Sequence, residues 1–238
     1  MIDLHTHILP GVDDGANDLQ TSLQMLQLQA EQGVDTVVCT PHYYPNEEKP
    51  EHFLKRREHG WNMLQEELDG LSQEERRKLP RLLLGAEVAW TPELSGIGKL
   101  DDFAISDTEN FLLELPMGPW NNRFIDQLYH LLGCCGMTPV IAHYDRYLYH
   151  QKRDHLEEIL DMSVPVQLSA SCLLEPGMKR DAIKLIRHRQ VHVIASDCHD
   201  CSHRAPNLGA AMKVIEKRFG IGCVEELNGN AEDIISDR

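Results

Sequence analysis

The chain has 238 residues, of which 38 are Asp or Glu and 23 are Lys or Arg, giving a formal net charge of −15. With 42% hydrophobic and 26% charged residues the composition suits a globular protein with a core, and excludes collagen, coiled coil and wholesale disorder. The acidic balance argues against nucleic acid as a partner and against adhesion to an anionic membrane, although carboxylates clustered around divalent cations would reverse the sign locally.

The N-terminal Met1-Ile2-Asp3-Leu4-His5 has neither a basic n-region nor an apolar h-region, so no signal peptide is expected. No run of about 18 apolar residues predicts membrane insertion. Seven cysteines, an odd number spread over a long chain, fit reduced thiols in a cytoplasm better than a disulfide framework. Short β-branched runs predict strands at 2–5, 36–40, 82–87, 111–115, 139–142, 166–169 and 191–196. Helical patterns fall at 18–32, 51–68, 123–134, 154–160 and 179–189, and two more at 208–219 and 224–227 close the chain. In the first helix Leu23, Leu26, Ala30 and Val34 recur at helical spacing, and Gly33 is placed to end it. The charged run from Glu74 to Lys78 reads as a solvated helix end. With neither repeat nor linker, 1–238 reads as one domain. Strands alternating with helices predict parallel pairing, which suits either a seven-stranded (β/α) barrel or an open doubly wound sheet.

The strand ends separate these two. His5-Thr6-His7 ends the first strand, Cys39-Thr40-Pro41-His42 the second and Gly85-Ala86-Glu87 the third. Glu114 lies at the end of the fourth, His143 follows the fifth, and Asp197-Cys198-His199 follows the seventh. A carboxylate or imidazole directly after an apolar strand is costly in a core without a partner. Taken singly, His-x-His is a weak motif, Glu87 or Glu114 reads as a carboxylate paired with Arg, and His143 as a core histidine. Repeated on six strands, the pattern implies one convergent polar site and hence the barrel. Imidazole and carboxylate together suit divalent Mn, Fe, Zn or Co. His52, His59, His130, His150, His155, His188 and His192 fall elsewhere and read as structural or solvated; His203 stays open.

Cys198 and Arg204 also form Cys-x5-Arg, the arrangement of phosphatases that use a thiolate nucleophile. The intervening residues contain no glycine to let backbone amides wrap a phosphate, and Asp200 would repel one. Cys198-x-x-Cys201 lacks the second ligand pair of a structural zinc site, which leaves a redox role for these thiols open.

Together these segments resemble the PHP (polymerase and histidinol phosphatase) superfamily, and within it the bacterial capsule and exopolysaccharide tyrosine-protein phosphatases. The likeness spans nearly the whole chain. It rests on Met1-Ile2-Asp3-x-His5-x-His7, Val12-Asp13-Asp14-Gly15, Thr40-x-His42, Gly85-Ala86-Glu87, Glu114, His143-x-x-Arg146-Tyr147 and Ser196-Asp197-x-His199. The resemblance implies a distorted seven-stranded TIM-like barrel of the PHP type holding three divalent metal ions, often manganese. His5, His7, Glu87 and Asp197 would take one ion, Glu87, Glu114 and His143 a second, and Asp14, His42 and His199 a third. Arg146 and Arg204 would bind phosphate, with His42 and His199 as proton donors only if the third ion is absent. The chain departs from the family pattern at Asp145, where Glu is usual, and at Asp200, where Asn is usual; either could alter substrate preference.

The implied reaction is metal-dependent hydrolysis of phosphotyrosine in a protein substrate, a bacterial tyrosine kinase controlling polysaccharide export. A histidinol-phosphatase-type small-molecule phosphoesterase and a non-catalytic metal-binding regulatory module are the alternatives.

Overall fold

The computed structural model describes residues 1–96 and 100–236. Strand β1 (Ile2–Thr6) leads into helix α1 (Leu19–Glu31). The strands read at 36–40 and 82–87 each stop early and resume, as β2 (Thr36–Cys39) with β3 (His42–Tyr43), and β4 (Arg81–Leu84) with β5 (Glu87–Ala89). Pro41 has no N–H to add to a ladder, so β2 ends before it. The carbonyls on either side still serve the next strand: Gly85 N–H donates to Cys39 O at 2.9 Å and Glu87 N–H to Pro41 O at 3.1 Å. Helices α2 (Pro50–Asp69) and α3 (Gln73–Arg76) lie between β3 and β4. The charged run expected to be a helix end is therefore largely its own turn of helix, opened by a capping box between Ser72 and Glu75.

Next come β6 (Asn110–Glu114), α4 (Asn122–Cys134), β7 (Thr138–Ile141), a 3-10 turn (Tyr144–Tyr149), α5 (Arg153–Asp161) and β8 (Gln167–Ser169). Helices α6 (Ser171–Leu174) and α7 (Pro176–Arg187), strand β9 (Val193–Ala195), α8 (Leu208–Phe219) and α9 (Ile221–Ile235) complete the chain. The last helix is far longer than the expected 224–227. Gly222, Gly229, Asn228 and Asn230 are poor helix formers. In the fold, the Asn228 side chain accepts from Ile2 N–H at 3.2 Å, and the Asn230 amide donates to His192 O at 2.9 Å. Tertiary bonds to the strand starts thus compensate for weak propensity.

Every strand pairing among the described residues is parallel. The sheets have the orders β1-β2-β4, β3-β5-β6-β7 and β8-β9. Single parallel bridges, Thr6 with Cys198 and Ile141 with Val166, link them further. Alternate residues of six strands, among them Leu4, Val38, Leu83, Leu112, Val140 and Val193, form one apolar cluster with Ala231 and Ile234 of α9. A second, larger cluster lies between strands and helices. The architecture is thus mixed α/β with helices packed on parallel strands.

Gly33, at φ +81°, ends α1 as expected. The buried face of that helix, however, is Ser22, Met25, Leu26 and Gln29, rotated from the expected stripe; Leu23 and Ala30 are only half-buried. Gln29 is drawn inward because its amide donates to the fully buried Asp3 at 2.5 Å. All seven cysteines are unpaired, and no helix among the described residues is long and apolar enough to cross a membrane.

Candidate metal centre

Residues two apart on a strand share a face, which puts His5 and His7 on one side of the end of β1, both fully buried. Their Nε2 atoms are 3.1 Å apart. Glu87, at the start of β5, reaches the same point: its Oε2 lies 3.1 Å from His5 Nε2 and 3.3 Å from His7 Nε2. Asp197 Oδ1 stands 3.4 Å from each of those nitrogens. The other Glu87 oxygen is 2.8 Å from His143 Nε2, which is itself 3.4 Å from Glu114 Oε1. His42 turns Nδ1 to Glu87 at 2.9 Å and Nε2 to Asp14 at 3.5 Å, and His199 Nε2 meets the same Asp14 oxygen at 3.5 Å. All nine residues singled out as ligands therefore converge. Seven of them form overlapping groups, His5–His7–Glu87, His42–Glu87–Glu114 and His7–Asp14–His42–His199, and within each group the donor atoms lie within 4.8 Å of one another; His143 and Asp197 adjoin them through Glu87 and through His5 and His7.

Donors about 2.0–2.2 Å from one ion are separated by roughly 3–3.6 Å, which is the spacing seen here. Glu87 Oε2, Asp197 Oδ1 and His199 Nε2 are buried with no hydrogen-bond partner among the described residues, and such atoms ordinarily cost about 1–3 kcal/mol each. The donor set of imidazoles and carboxylates therefore fits divalent cations.

The imidazoles are aimed by contacts behind them. His7 Nδ1 lies 2.7 Å from Asp13 Oδ2, His199 Nδ1 3.0 Å from Asp197 O, and His5 Nδ1 3.3 Å from Gln167 Oε1. A proton held on Nδ1 by each acceptor leaves the Nε2 lone pair facing the cluster. Asp13 also accepts the N–H groups of His42 and Gly15, each at 3.0 Å. Burial opposes its ionisation, but the adjoining His7 and those two N–H groups hold its carboxyl well below the usual range. Gln167 Oε1 also accepts His143 N–H at 2.6 Å. It thereby steadies a backbone at φ +31°, in the left-handed region that non-glycine residues seldom occupy.

Neither Asp13 nor Gln167 was assigned a role from sequence. Asp13 stood in the quoted Asp-Asp-Gly segment, masked by its neighbour Asp14. Gln167 lies in the one predicted strand region, 166–169, whose end carries no metal-type ligand, and a neutral amide inside an apolar run gives no such signal.

The two arginines flank Asp197. Arg146 forms a close ion pair with Asp197 Oδ2, and Arg204 Nη2 lies 2.9 Å from the same oxygen. Their side chains stay 34% and 40% exposed, so guanidinium donors remain free toward solvent. Burial opposes charge on Asp197, but His5, His7 and Arg146 keep it ionised. Burial, above all, pulls His199 down to about 3.

Asp145 is buried and accepts Ser169 N–H at 2.7 Å, a tie between the 3-10 turn and β8. Asp200 organises its own loop, accepting N–H groups from Ser202 at 2.5 Å, His203 at 2.6 Å and Arg204 at 3.2 Å. Both departures from the family pattern thus hold backbone, and Asp200 fixes the loop that presents Arg204. His155 bonds Asn122 and His192 accepts Val166 N–H, both outside the cluster, and His203 is exposed.

Cys198 does not suit a thiolate nucleophile. It is fully buried, and burial with Asp3 nearby pushes its thiol well above the ordinary value. A nucleophilic cysteine needs the opposite shift.

A family model described as capsular polysaccharide synthesis, CpsB/CapC, matches residues 1–236. Tyrosine-protein phosphatase YwqE of Bacillus subtilis (strain 168) is 29% identical over 245 residues, covering 100% of this chain and 92% of that protein. Tyrosine-protein phosphatase CpsB of Streptococcus pneumoniae is 30% identical over 255 residues, covering 100% and 99%. A chain from the crystal structures of YwqE and CpsB, described as unique metal-dependent tyrosine phosphatases, superposes with a TM-score of 0.79 at 28% identity, over 99% of this chain and 94% of that one. A lactonase from Listeria monocytogenes, at 11% identity and a TM-score of 0.52, shares the fold alone. The match runs from the His-x-His of β1 through the last helix, and the chain belongs to the CpsB/CapC family of capsular polysaccharide synthesis proteins.

Proposed function

We propose that this chain is a metal-dependent protein-tyrosine phosphatase that removes phosphate from a bacterial tyrosine kinase controlling capsule or exopolysaccharide synthesis. The observation that carries the reading is Glu87: one buried carboxylate whose two oxygens face His5, His7 and His42 on one side and His143 on the other. The similarity to tyrosine-protein phosphatases over the full chain supports the substrate class. In this reading His5, His7, Glu87 and Asp197 hold one divalent ion, Glu87, Glu114 and His143 a second, and Asp14, His42 and His199 a third. Manganese is our first assignment, with Fe, Co and Zn as alternatives. We read the parallel sheets as one distorted seven-stranded barrel and 1–238 as a single domain, supported by the bridges between sheets and the shared interior cluster. A cytoplasmic location is supported by seven unpaired cysteines.

Bound divalent ions supply Lewis acidity toward phosphate oxygens and acidify water. The chain's own residues do the rest. Glu87 is held ionised because its imidazole neighbours outweigh the cost of burial, and its two oxygens, facing different imidazoles, would let it serve two divalent ions. Arg146 and Arg204, anchored on Asp197, present their remaining donors to the phosphate, which a guanidinium can hold in a bidentate way. A tyrosine phenolate has a pKa of about 10 and leaves with little acid assistance. Where the third cation is missing, His42 is the remaining candidate proton donor, because His199, pulled down to about 3, stays neutral.

The test is hydrolysis of p-nitrophenyl phosphate after chelation, with manganese, cobalt, zinc or magnesium restored, beside Cys198→Ser and Arg146→Ala. Activity should vanish with chelator, return with metal and persist in Cys198→Ser. In Arg146→Ala it should fall while metal content holds, which a purely regulatory metal module would not produce. Activity that ignores chelator but dies with Cys198 would overturn the reading. Faster turnover of histidinol phosphate than of a phosphotyrosyl peptide would redirect it to small molecules.

A further inference from the structure

The chain carries −15 overall, yet one groove on it is strongly basic. Between α7 and α8 lies a cleft of roughly 1030 Å³ lined by Lys179, Arg180, Lys184, Arg187, Lys217 and Arg218, with Asp181 the only carboxylate among the described residues of its walls. Six cations and one anion give it +5, so the rest of the chain carries −20. Apart from Arg180, which stands 3.8 Å from Asp181, none of the six forms an ion pair among the described residues. Asp181 is itself engaged by the Tyr149 hydroxyl at 3.1 Å. Five of the six are exposed and Lys179 is half-buried. The floor includes the half-buried Ile183 and Val214.

Helix electrostatics explain part of this. Cations in a last turn complement the helix dipole, which accounts for Lys184, Arg187, Lys217 and Arg218. It does not account for Lys179 and Arg180 in the first half of α7, nor for the scarcity of balancing acids in so acidic a chain. Like charges gathered without counter-charges repel one another, and a partner that neutralises them removes that cost.

We infer that the α7–α8 groove is a docking site for an acidic segment of a partner protein, one interleaving Asp or Glu with apolar side chains. Its lining residues are distinct from the metal-centre residues, so the inference goes beyond the phosphatase reading and does not depend on it. A protein segment fits better than a membrane. A concave cleft with an apolar floor receives a narrow chain, and a flat anionic bilayer would also meet the −20 carried by the rest of the molecule. Charge complementarity of this kind sets on-rate and specificity and weakens with salt.

The test uses the full metal-loaded chain and a fluorescent peptide of alternating Glu and Leu, read by anisotropy. Wild type should bind, with affinity falling at least tenfold between 50 and 300 mM salt. The double variants Lys184→Glu/Arg187→Glu and Lys217→Glu/Arg218→Glu, one on each wall, should each weaken binding at least tenfold while p-nitrophenyl phosphate turnover stays within twofold, which also certifies the fold. Absence of peptide binding, or equal binding by wild type and both variants, would overturn the inference. So would capture of phosphatidylserine vesicles without capture of the peptide, or salt-sensitive self-association abolished by the same variants.

Discussion

Asp13 gives the sharpest test of how this site is built. Its Oδ2 receives both His7 Nδ1 and His42 N–H, at 2.7 and 3.0 Å, and its Oδ1 receives Gly15 N–H at 3.0 Å. Asp13→Ala removes both acceptor oxygens, and with them all three hydrogen bonds, without touching a proposed ligand. His7 then loses the contact that keeps its proton on Nδ1, and its Nε2 lone pair is no longer reserved for the cluster. Removing a carboxylate behind a ligating imidazole typically costs 10–100-fold in metal affinity, about 1.4–2.7 kcal/mol. That agrees with one lost charge-assisted hydrogen bond at about 1.5–3 kcal/mol. Asp13→Asn should be no full rescue. A single amide oxygen cannot serve both sides of the carboxylate, so its NH2 must face either His7 and His42 or Gly15, all of them donors. The assay is activity against free manganese in a buffered titration, with bound metal counted after dialysis. Both variants should need at least tenfold more metal for half-maximal activity, Asn less severely than Ala. Wild-type metal affinity in Asp13→Ala would refute the idea that Asp13 sets the His7 tautomer.

Three further outcomes follow from the same geometry. Gly15→Ala would place a Cβ 2.1 Å from His7 O, so the Asp13–Asp14 turn must lift away; stability should fall by about 1–3 kcal/mol and metal content with it, whereas Gly118→Ala, with open space around it, should melt like wild type. Gln167→Leu leaves the His143 N–H and His5 Nδ1 without their shared acceptor and should cost about 1–3 kcal/mol in thermal or urea unfolding; an unchanged midpoint would show that the amide positions nothing. Iodoacetamide on the native protein should label the exposed Cys134 and spare the buried Cys39, Cys172 and Cys198, as peptide mapping would report; rapid labelling of Cys198 would contradict its burial.

Alternation of β-branched runs with helical patterns put a strand in each of the seven predicted regions, because strands buried on both faces are written locally as short continuous apolar runs. It could not place the interruptions at Pro41 and Gly85-Ala86, where the neighbouring strand's hydrogen bonds decide that pairing resumes. Nor could it extend α9, whose Gly and Asn residues argue against helix until their side-chain amides meet the strand starts.

The ligands were legible for a different reason. Imidazoles and carboxylates at the ends of apolar strands are so costly in isolation that their repetition declares a shared site. By itself the sequence determined the residue types, the strand ends that carry them and the family to which they belong. Tertiary structure alone decided that Glu87 stands between two groups of imidazoles, that Asp13 and Gln167 aim them, that Cys198 is buried out of use, and that six cations from two helices face one another across a groove. These depend on direction and distance between residues far apart in the chain, which a linear pattern does not encode.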